Sequence, residues 1–241
     1  MNEYNLEKFN KELEQLKLTL NEQQISQFLM FYEKLTEWNS FMNLTTVTKF
    51  DEVFLKHFAD SLSIVNGIDM SEIVTMIDVG TGAGFPGIPL KIAFPHLKVT
   101  LLDSLGKRVK FLNEVITVLK LEEIRAVHGR AEDFAKDPKY REKYDLCVSR
   151  AVANLSSLSE YCLPYVKKEG TFVSYKAKDA EDEATKAQKA IHVMGGELIK
   201  ILNFQLPESD INRSLIIIEK KRYTPKSYPR KAGLPGKDPI K

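Results

Sequence analysis

The residues best suited to chemistry gather first in one loop, Asp78-Val79-Gly80-Thr81-Gly82-Ala83-Gly84-Phe85-Pro86-Gly87. It follows a short apolar run and opens a helical stretch, so it reads as a strand-to-helix turn. Glycines are needed there because the backbone must turn sharply and a ligand must lie close against it. Pro86 suits the first helical turn, where a missing N–H costs nothing. Asp103 ends the next apolar run, about 20 residues past the glycines, the place where an acid holds a ribose diol. The loop and Asp103 together predict nucleoside binding.

Which nucleoside is a separate question. Gly82-Ala83-Gly84-Phe85-Pro86-Gly87 matches the dinucleotide pattern G-x-G-x-x-G, a weak signal alone. Asp78, two residues before Gly80, adds an acidic-x-Gly-x-Gly-x-Gly signature that resembles the S-adenosylmethionine loop of methyltransferases. Further candidates follow later runs. Arg130-Ala131-Glu132 lies after the third, where in this type of fold the adenine sits; the alternative for Glu132 is a solvated loop acid. Ser149-Arg150-Ala151-Val152 ends the fourth, at the crevice side. Arg150 there meets a methionine carboxylate or an RNA phosphate, or forms a surface ion pair.

These residues need a sheet to hold them. Short apolar runs at Val74–Val79, Lys98–Leu102, Ile124–His128, Tyr144–Ser149, Thr171–Tyr175, Glu197–Phe204 and Ser214–Lys220 read as strands. Helical stretches at Gly87–Phe94, Lys107–Leu119, Leu155–Leu163 and Ala180–His192 alternate with the first five. In the second of these, Val109, Leu112, Ile116 and Leu119 share one face. The last helix is weakly apolar and charged, and a surface position is expected for it. The final two strands are joined only by a short polar stretch with Pro207, so one of them must run antiparallel. The expected fold is therefore α/β: a class I S-adenosylmethionine methyltransferase, Rossmann-like, with a mostly parallel seven-stranded sheet and a C-terminal antiparallel hairpin. Dinucleotide-binding domains are usually all-parallel, so the hairpin and Asp78 argue against a nicotinamide dehydrogenase.

Before the sheet, the first ~65 residues read as helical. Ile25, Phe28, Tyr32 and Leu35 form a stripe closed by Trp38, which is expected in the core, and Asn21 is a helix N-cap. The expected organisation is an N-terminal helical extension over 1–68, a methyltransferase domain over 69–221 and a basic tail over 222–241. Eight lysines and arginines between Lys220 and Lys241 face one acid, Asp238. That tail is either a phosphate-binding arm or a solvated terminus.

Composition excludes several classes. The 241 residues are 43% hydrophobic and 28% charged, with no run near the ~20 apolar residues of a membrane helix. Met1 to Phe9 lacks an apolar signal region, so a cytoplasmic protein is expected. Cys147 and Cys162 lie in apolar runs and read as core residues; neither a disulfide framework nor a metal site is expected. Exocyclic amino methyltransferases resemble one another in an Asp/Asn-Pro-Pro-aromatic tetrad after the fourth strand, and this chain has none. Carbon-5 methylation needs a mobile cysteine nucleophile, and Cys147 is inside a strand. Guanine N7 remains open: it is a ring acceptor without a proton, so its methylation needs alignment rather than a base.

The chain resembles the bacterial 16S ribosomal RNA guanine-N7 methyltransferases, also called glucose-inhibited division protein B. The likeness is carried by Glu37-Trp38-Asn39, Asn43-Leu44-Thr45, Leu55-Lys56-His57-Phe58 with Asp60-Ser61, the glycine loop, Arg130-Ala131-Glu132, Ser149-Arg150-Ala151-Val152 and Tyr228-Pro229-Arg230-Lys231. It implies methylation of guanine N7 in the 530 loop (the guanine 527 position) of 16S ribosomal RNA, free or within the small subunit. It implies that Gly80, Phe85, Ala131, Glu132 and Arg150 contact S-adenosyl-L-methionine. Asp78, Gly82, Gly84 and Asp103 join them from the loop reading. Arg230 and Lys231 then become RNA contacts, and Lys176, at a strand end on the crevice side, either touches RNA phosphate or simply ends its strand. His57, Asp60 and Ser61 share a helix face. They either cover the target base or form a hydrogen-bonded cluster tying the N-terminal helices to the sheet. No catalytic base is expected, and the protein is expected to act as a monomer. A small-molecule methyltransferase and a non-catalytic S-adenosylmethionine-binding RNA protein are the competing readings.

Overall fold

The computed structural model describes residues 4–177 and 180–241. Seven strands form one sheet in the order β3-β2-β1-β4-β5-β7-β6. They are β1 (Thr75–Val79), β2 (Lys98–Asp103), β3 (Ile124–His128), β4 (Tyr144–Arg150), β5 (Val166–Lys176), β6 (Gly196–Gln205) and β7 (Asn212–Lys220). Strands β1 to β5 pair in parallel, and β7 runs antiparallel between β5 and β6. This is the class I S-adenosylmethionine methyltransferase arrangement. Strand β1 begins one residue later than expected, leaving Val74 exposed, and β5 begins five residues earlier.

The helices are α1 (Glu7–Gln15), α2 (Glu22–Met42), α3 (Phe50–Val53), α4 (Asp60–Leu62), α5 (Gly87–Ala93), α6 (Gly106–Val118), α7 (Ala131–Phe134), α8 (Leu155–Cys162), α9 (Ala180–Val193) and α10 (Leu234–Lys237). Helix α2 starts at a capping box: Asn21 accepts from the Gln24 N–H and Gln24 accepts from the Asn21 N–H, both at 2.9 Å. Each bond satisfies a backbone donor that a helix start would otherwise leave orphaned. The helix then turns two buried glutamines on its neighbours. Gln24 donates to Ile92 O at 2.8 Å, and Gln27 to Leu119 O at 2.8 Å. Both acceptors are end carbonyls, of α5 and α6, that lack partners within their own helices. One N-terminal helix thus closes the ends of two helices of the sheet domain.

The N-terminal helices also share that domain's core. Phe9, Phe28, Phe31, Phe54 and Phe58 are buried and pack on one another, mostly edge to face, with ring centroids 4.7–5.5 Å apart. Phe31 and Phe58 continue into Phe85 of the glycine loop. Loss of one such ring costs about 3–5 kcal/mol.

Two helices bury more than their sequences suggest. On α6 the fully buried residues include Phe111 and Val115, while Ile116 is only half-buried. The helix is sandwiched: one side meets the sheet, and Phe111 also meets Trp38 of α2, ring to ring at 5.6 Å. Helix α9, expected at the surface, buries Ala180, Ala184, Ala187, Ala190 and Ile191. Its alanines let it lie close on the sheet while its charges face outward. Both cysteines are buried and unpaired. No helix among the described residues is long and apolar enough to cross a membrane.

Candidate cofactor and substrate site

The glycine loop leaves the carboxyl end of β1, the central switch point of the sheet, where open α/β sheets place their ligands. Asp78 is fully buried beneath it. Its Oδ2 accepts from the Thr81 hydroxyl at 2.7 Å and from the Gly87 N–H at 2.8 Å, so one carboxylate ties both ends of the loop. Its Oδ1 is buried with no hydrogen-bond partner among the described residues. Burial pushes the Asp78 pKa up to about 7, against those two bonds. Asp78 thus anchors the loop from beneath.

Asp103 does a similar service from β2. It accepts from the Gly82 N–H at 2.9 Å and from the Leu105 N–H at 2.8 Å, and it lies 3.5 Å from Arg108. Gly82 has φ +62°, and a Cβ built on it would have no heavy atom within 4 Å. The position is left-handed and opens onto free space, as a backbone approached by a ligand must. Gly80 instead packs under the side chain of Val152. Gly84 lies against Ile88 of α5, inside the turn.

A cleft of about 180 Å³ runs beside the loop, lined by Gly80, Leu102, Arg130, Glu132, Val152 and Tyr161 among others. Ala131 and Glu132 open α7. The Ala131 carbonyl accepts from the Tyr165 hydroxyl at 2.6 Å, and buried Glu132 accepts from the Gly233 N–H at 2.6 Å.

The other end of the loop is Phe85, and it meets a second group. The His57 ring lies against it, and the Arg150 guanidinium sits 5.1 Å from its centroid. Arg150 donates to Asp60 Oδ2 at 2.9 Å, and Arg213 of β7 donates to Asp60 Oδ1 at 3.0 Å. His57 Nε2 lies 2.8 Å from the Thr45 hydroxyl. The Ser61 hydroxyl donates to the His57 carbonyl, and the Ser61 carbonyl accepts from Tyr175 at 2.8 Å. His57, Asp60 and Ser61 therefore form a linked cluster joining N-terminal helices to β4, β5 and β7. His57 belongs to a π-helical turn, Phe54–Ala59, a widening that is frequent at functional sites. Ala151, next to Arg150, has φ +57°, strain of the kind that concentrates at such sites. Arg213 and Tyr175 were not among the expected site residues, and Thr45 entered only as part of the Asn43-Leu44-Thr45 likeness; isolated polar residues on distant elements carry no spacing signal.

The expected RNA contacts lie differently. Residues after β7 do not extend as an arm but pack on the domain. Arg230 grips buried Glu160, donating at 3.0 Å from Nε and 2.8 Å from Nη2. Lys176 is paired with Glu183 at 2.6 Å and donates to the Ala153 carbonyl at 3.0 Å. Lys231 is exposed. Among the described residues, no group of three or more His, Cys, Asp or Glu could hold a metal ion.

A family model described as rRNA small subunit methyltransferase G, or GidB, matches residues 24–213. The chain belongs to this family. A ribosomal RNA small subunit methyltransferase G from Lachnoclostridium phytofermentans is 52% identical over 96% of each chain, and one from Bacillus pumilus is 51% identical over 98% of this chain and 99% of its own. Among solved structures, the complex between the Haloferax volcanii Trm112 methyltransferase activator and a methyltransferase provides a similar chain. It has a TM-score of 0.58 at 12% identity and covers 78% of this chain and 98% of that one, a likeness of fold alone. The family match spans α2, the π-helical turn and the sheet into β7, so it takes in both the cleft and the His57 cluster.

Proposed function

We propose that this protein transfers a methyl group from S-adenosyl-L-methionine to N7 of a guanine in the 530 loop of 16S ribosomal RNA. The observation that carries the reading is the near-full-length similarity to ribosomal RNA small subunit methyltransferases, at about half identity.

The residues at the cleft and in the loop beside it suit the cofactor. The open left-handed Gly82, the strand-end carboxylate of Asp103 and the buried carboxylate of Glu132 offer a backbone surface, a ribose acceptor and an acceptor beside an adenine. Gly80 and Ala131 would contact the nucleoside, with Phe85 and Arg150 toward the methionine end. Asp78 and Gly84 hold the loop that presents them. S-adenosylmethionine supplies an electrophilic methyl group on a sulfonium sulfur.

The chain's own groups suit a nucleophile that needs no deprotonation. Asp60 is committed to two arginines. Burial and the adjacent Arg150 hold His57 neutral, with a pKa lowered to about 4, which makes it a weak base at neutral pH. Guanine N7 carries a lone pair and no proton, so positioning is the main requirement. In an A-form helix the deep groove hides N7, so the target guanine must be unpaired or flipped out. Lys231, which is exposed, would meet RNA phosphate.

The test is incubation with methyl-labelled S-adenosylmethionine and small ribosomal subunits from a strain lacking this methylation, followed by N7-specific strand cleavage. Label at one guanine of the 530 loop is the expected result. Label at another atom or loop rejects the assigned target, and no transfer to RNA rejects the substrate class.

A further inference from the structure

The segment after β7 is fastened to the domain by its backbone, and its fastenings converge on the cleft. Glu160 accepts from the Arg230 backbone N–H at 2.7 Å as well as from the guanidinium. Three residues earlier on α8, the Ser157 hydroxyl donates to the Pro235 carbonyl at 2.8 Å. Beside Glu160, the Tyr161 hydroxyl lies against Gly236. Between these points the chain passes over α7, where the Gly233 N–H meets Glu132 Oε1. Glu132 and Tyr161 both line the cleft.

Glu132 therefore has one oxygen committed to the C-terminal segment, and the other is left for a ligand. A carboxylate at the first turn of a four-residue helix has few local restraints, and the Gly233 N–H supplies one that is charge-assisted. Gly233 has φ +84°, a conformation that L side chains rarely adopt. The Arg230–Glu160 pair lies three residues upstream, with Glu160 fully buried, and fixes the path that delivers that N–H.

We infer that the C-terminal segment is a strap that orients Glu132 for the cofactor, with Gly233 as the positioning residue and Arg230–Glu160 as its latch. The inference rests on assigning the cleft to S-adenosylmethionine. It moves Arg230 from RNA recognition to cofactor affinity. By linkage, a cofactor that uses the oriented Glu132 must also hold the strap more tightly in place.

Calorimetric titration of S-adenosylmethionine into the full chain and into Gly233→Ala, Arg230→Ala, Glu160→Gln and Lys237→Ala tests this. Amide hydrogen exchange over residues 228–238 is followed with and without the cofactor. The expected result is a Kd raised about tenfold in Gly233→Ala and Arg230→Ala, which is 1.4 kcal/mol. Glu160→Gln, which keeps the side-chain volume, shifts Kd in the same direction by less, and exposed Lys237→Ala leaves it unchanged. The KM for RNA stays constant throughout, and cofactor slows exchange over 228–238 in the unaltered chain. If the Ala variants are not folded by circular dichroism, Glu160→Gln and the exchange measurement decide. Unchanged cofactor affinity in folded variants, or a rise confined to the KM for RNA, overturns the strap. Failure of the unaltered chain to bind S-adenosylmethionine overturns the cleft assignment itself.

Discussion

The ring of His57 lies against the ring of Phe85, 4.6 Å between centroids and 27° from parallel. One ring comes from the N-terminal helices and the other from the glycine loop, so this contact couples the two. Burial, with Arg150 second, lowers the His57 pKa from 6.5 to about 4. The unfolded chain takes up this proton below pH 6.5 and the folded chain does not. Stability contributed by neutral His57 is thus complete above pH 6.5 and is lost as pH falls toward 4, by at most about 3 kcal/mol. Urea unfolding from pH 4.5 to 7.5 should give a steeper rise in the wild type than in His57→Gln. Equal slopes would show that the ring is not held neutral.

Asp60 sits between two guanidiniums, with its side chain 5% exposed. Removing it leaves Arg150 and Arg213 facing each other without a counter-charge. Asp60→Ala should cost about 3–5 kcal/mol, the usual result of breaking a buried pair on one side. The denaturation midpoint should fall with an unchanged m-value. A loss below 1 kcal/mol would mean that water screens the arginines.

Glu12 of α1 is buried, and neither carboxylate oxygen has a hydrogen-bond partner among the described residues. Burial raises its pKa from 4.5 to about 7. The folded chain holds a proton that the unfolded chain releases, so this site destabilises as pH rises from 4.5 through 7. Glu12→Gln should be more stable than the wild type by at most about 3 kcal/mol at pH 8 and nearly equal at pH 4.5. Thermal melting at the two pH values reads the difference, and a gap independent of pH would contradict it.

Gly82→Ala separates folding from binding. The left-handed backbone costs an alanine about 1–2 kcal/mol, but no atom obstructs its Cβ. The variant should fold, with a melting point lowered by several degrees. Its Cβ projects where the cofactor would lie, so S-adenosylmethionine binding should weaken at least tenfold by calorimetry. Unaltered affinity would place the cofactor elsewhere.

The sheet and the glycine loop were legible because their signals are local. Alternating apolar runs mark the seven strands, and a short polar link with Pro207 marks the hairpin. Asn21 was legible as a cap for the same reason, its partner Gln24 being three residues away. What sequence spacing does not carry is contact between distant elements. Asp60 and Arg213 are 153 residues apart. The buried face of α6 is wider than its period suggests: Val109, Leu112 and Leu119 are buried as expected, and Phe111 and Val115 join them, Phe111 because it packs on Trp38 of α2, a neighbour that the period of α6 cannot report. The burial of α9 was hidden by its alanines, whose low hydropathy hides how closely they pack. The charge of the last segment suggested a free arm, but one buried acid on α8, Glu160, is enough to recruit Arg230 inward.

The insertion of β7 between β5 and β6 has a consequence during synthesis. Strand β5 ends at Lys176, and the strand that covers its outer edge begins only at Asn212. A nascent chain that folds from its N-terminus therefore displays an uncovered, apolar strand edge while 35 further residues are translated. An edge of that kind is a template for pairing with other chains. Chains released before residue 212 should self-associate, and a ribosome stalled in that interval exposes the edge longest.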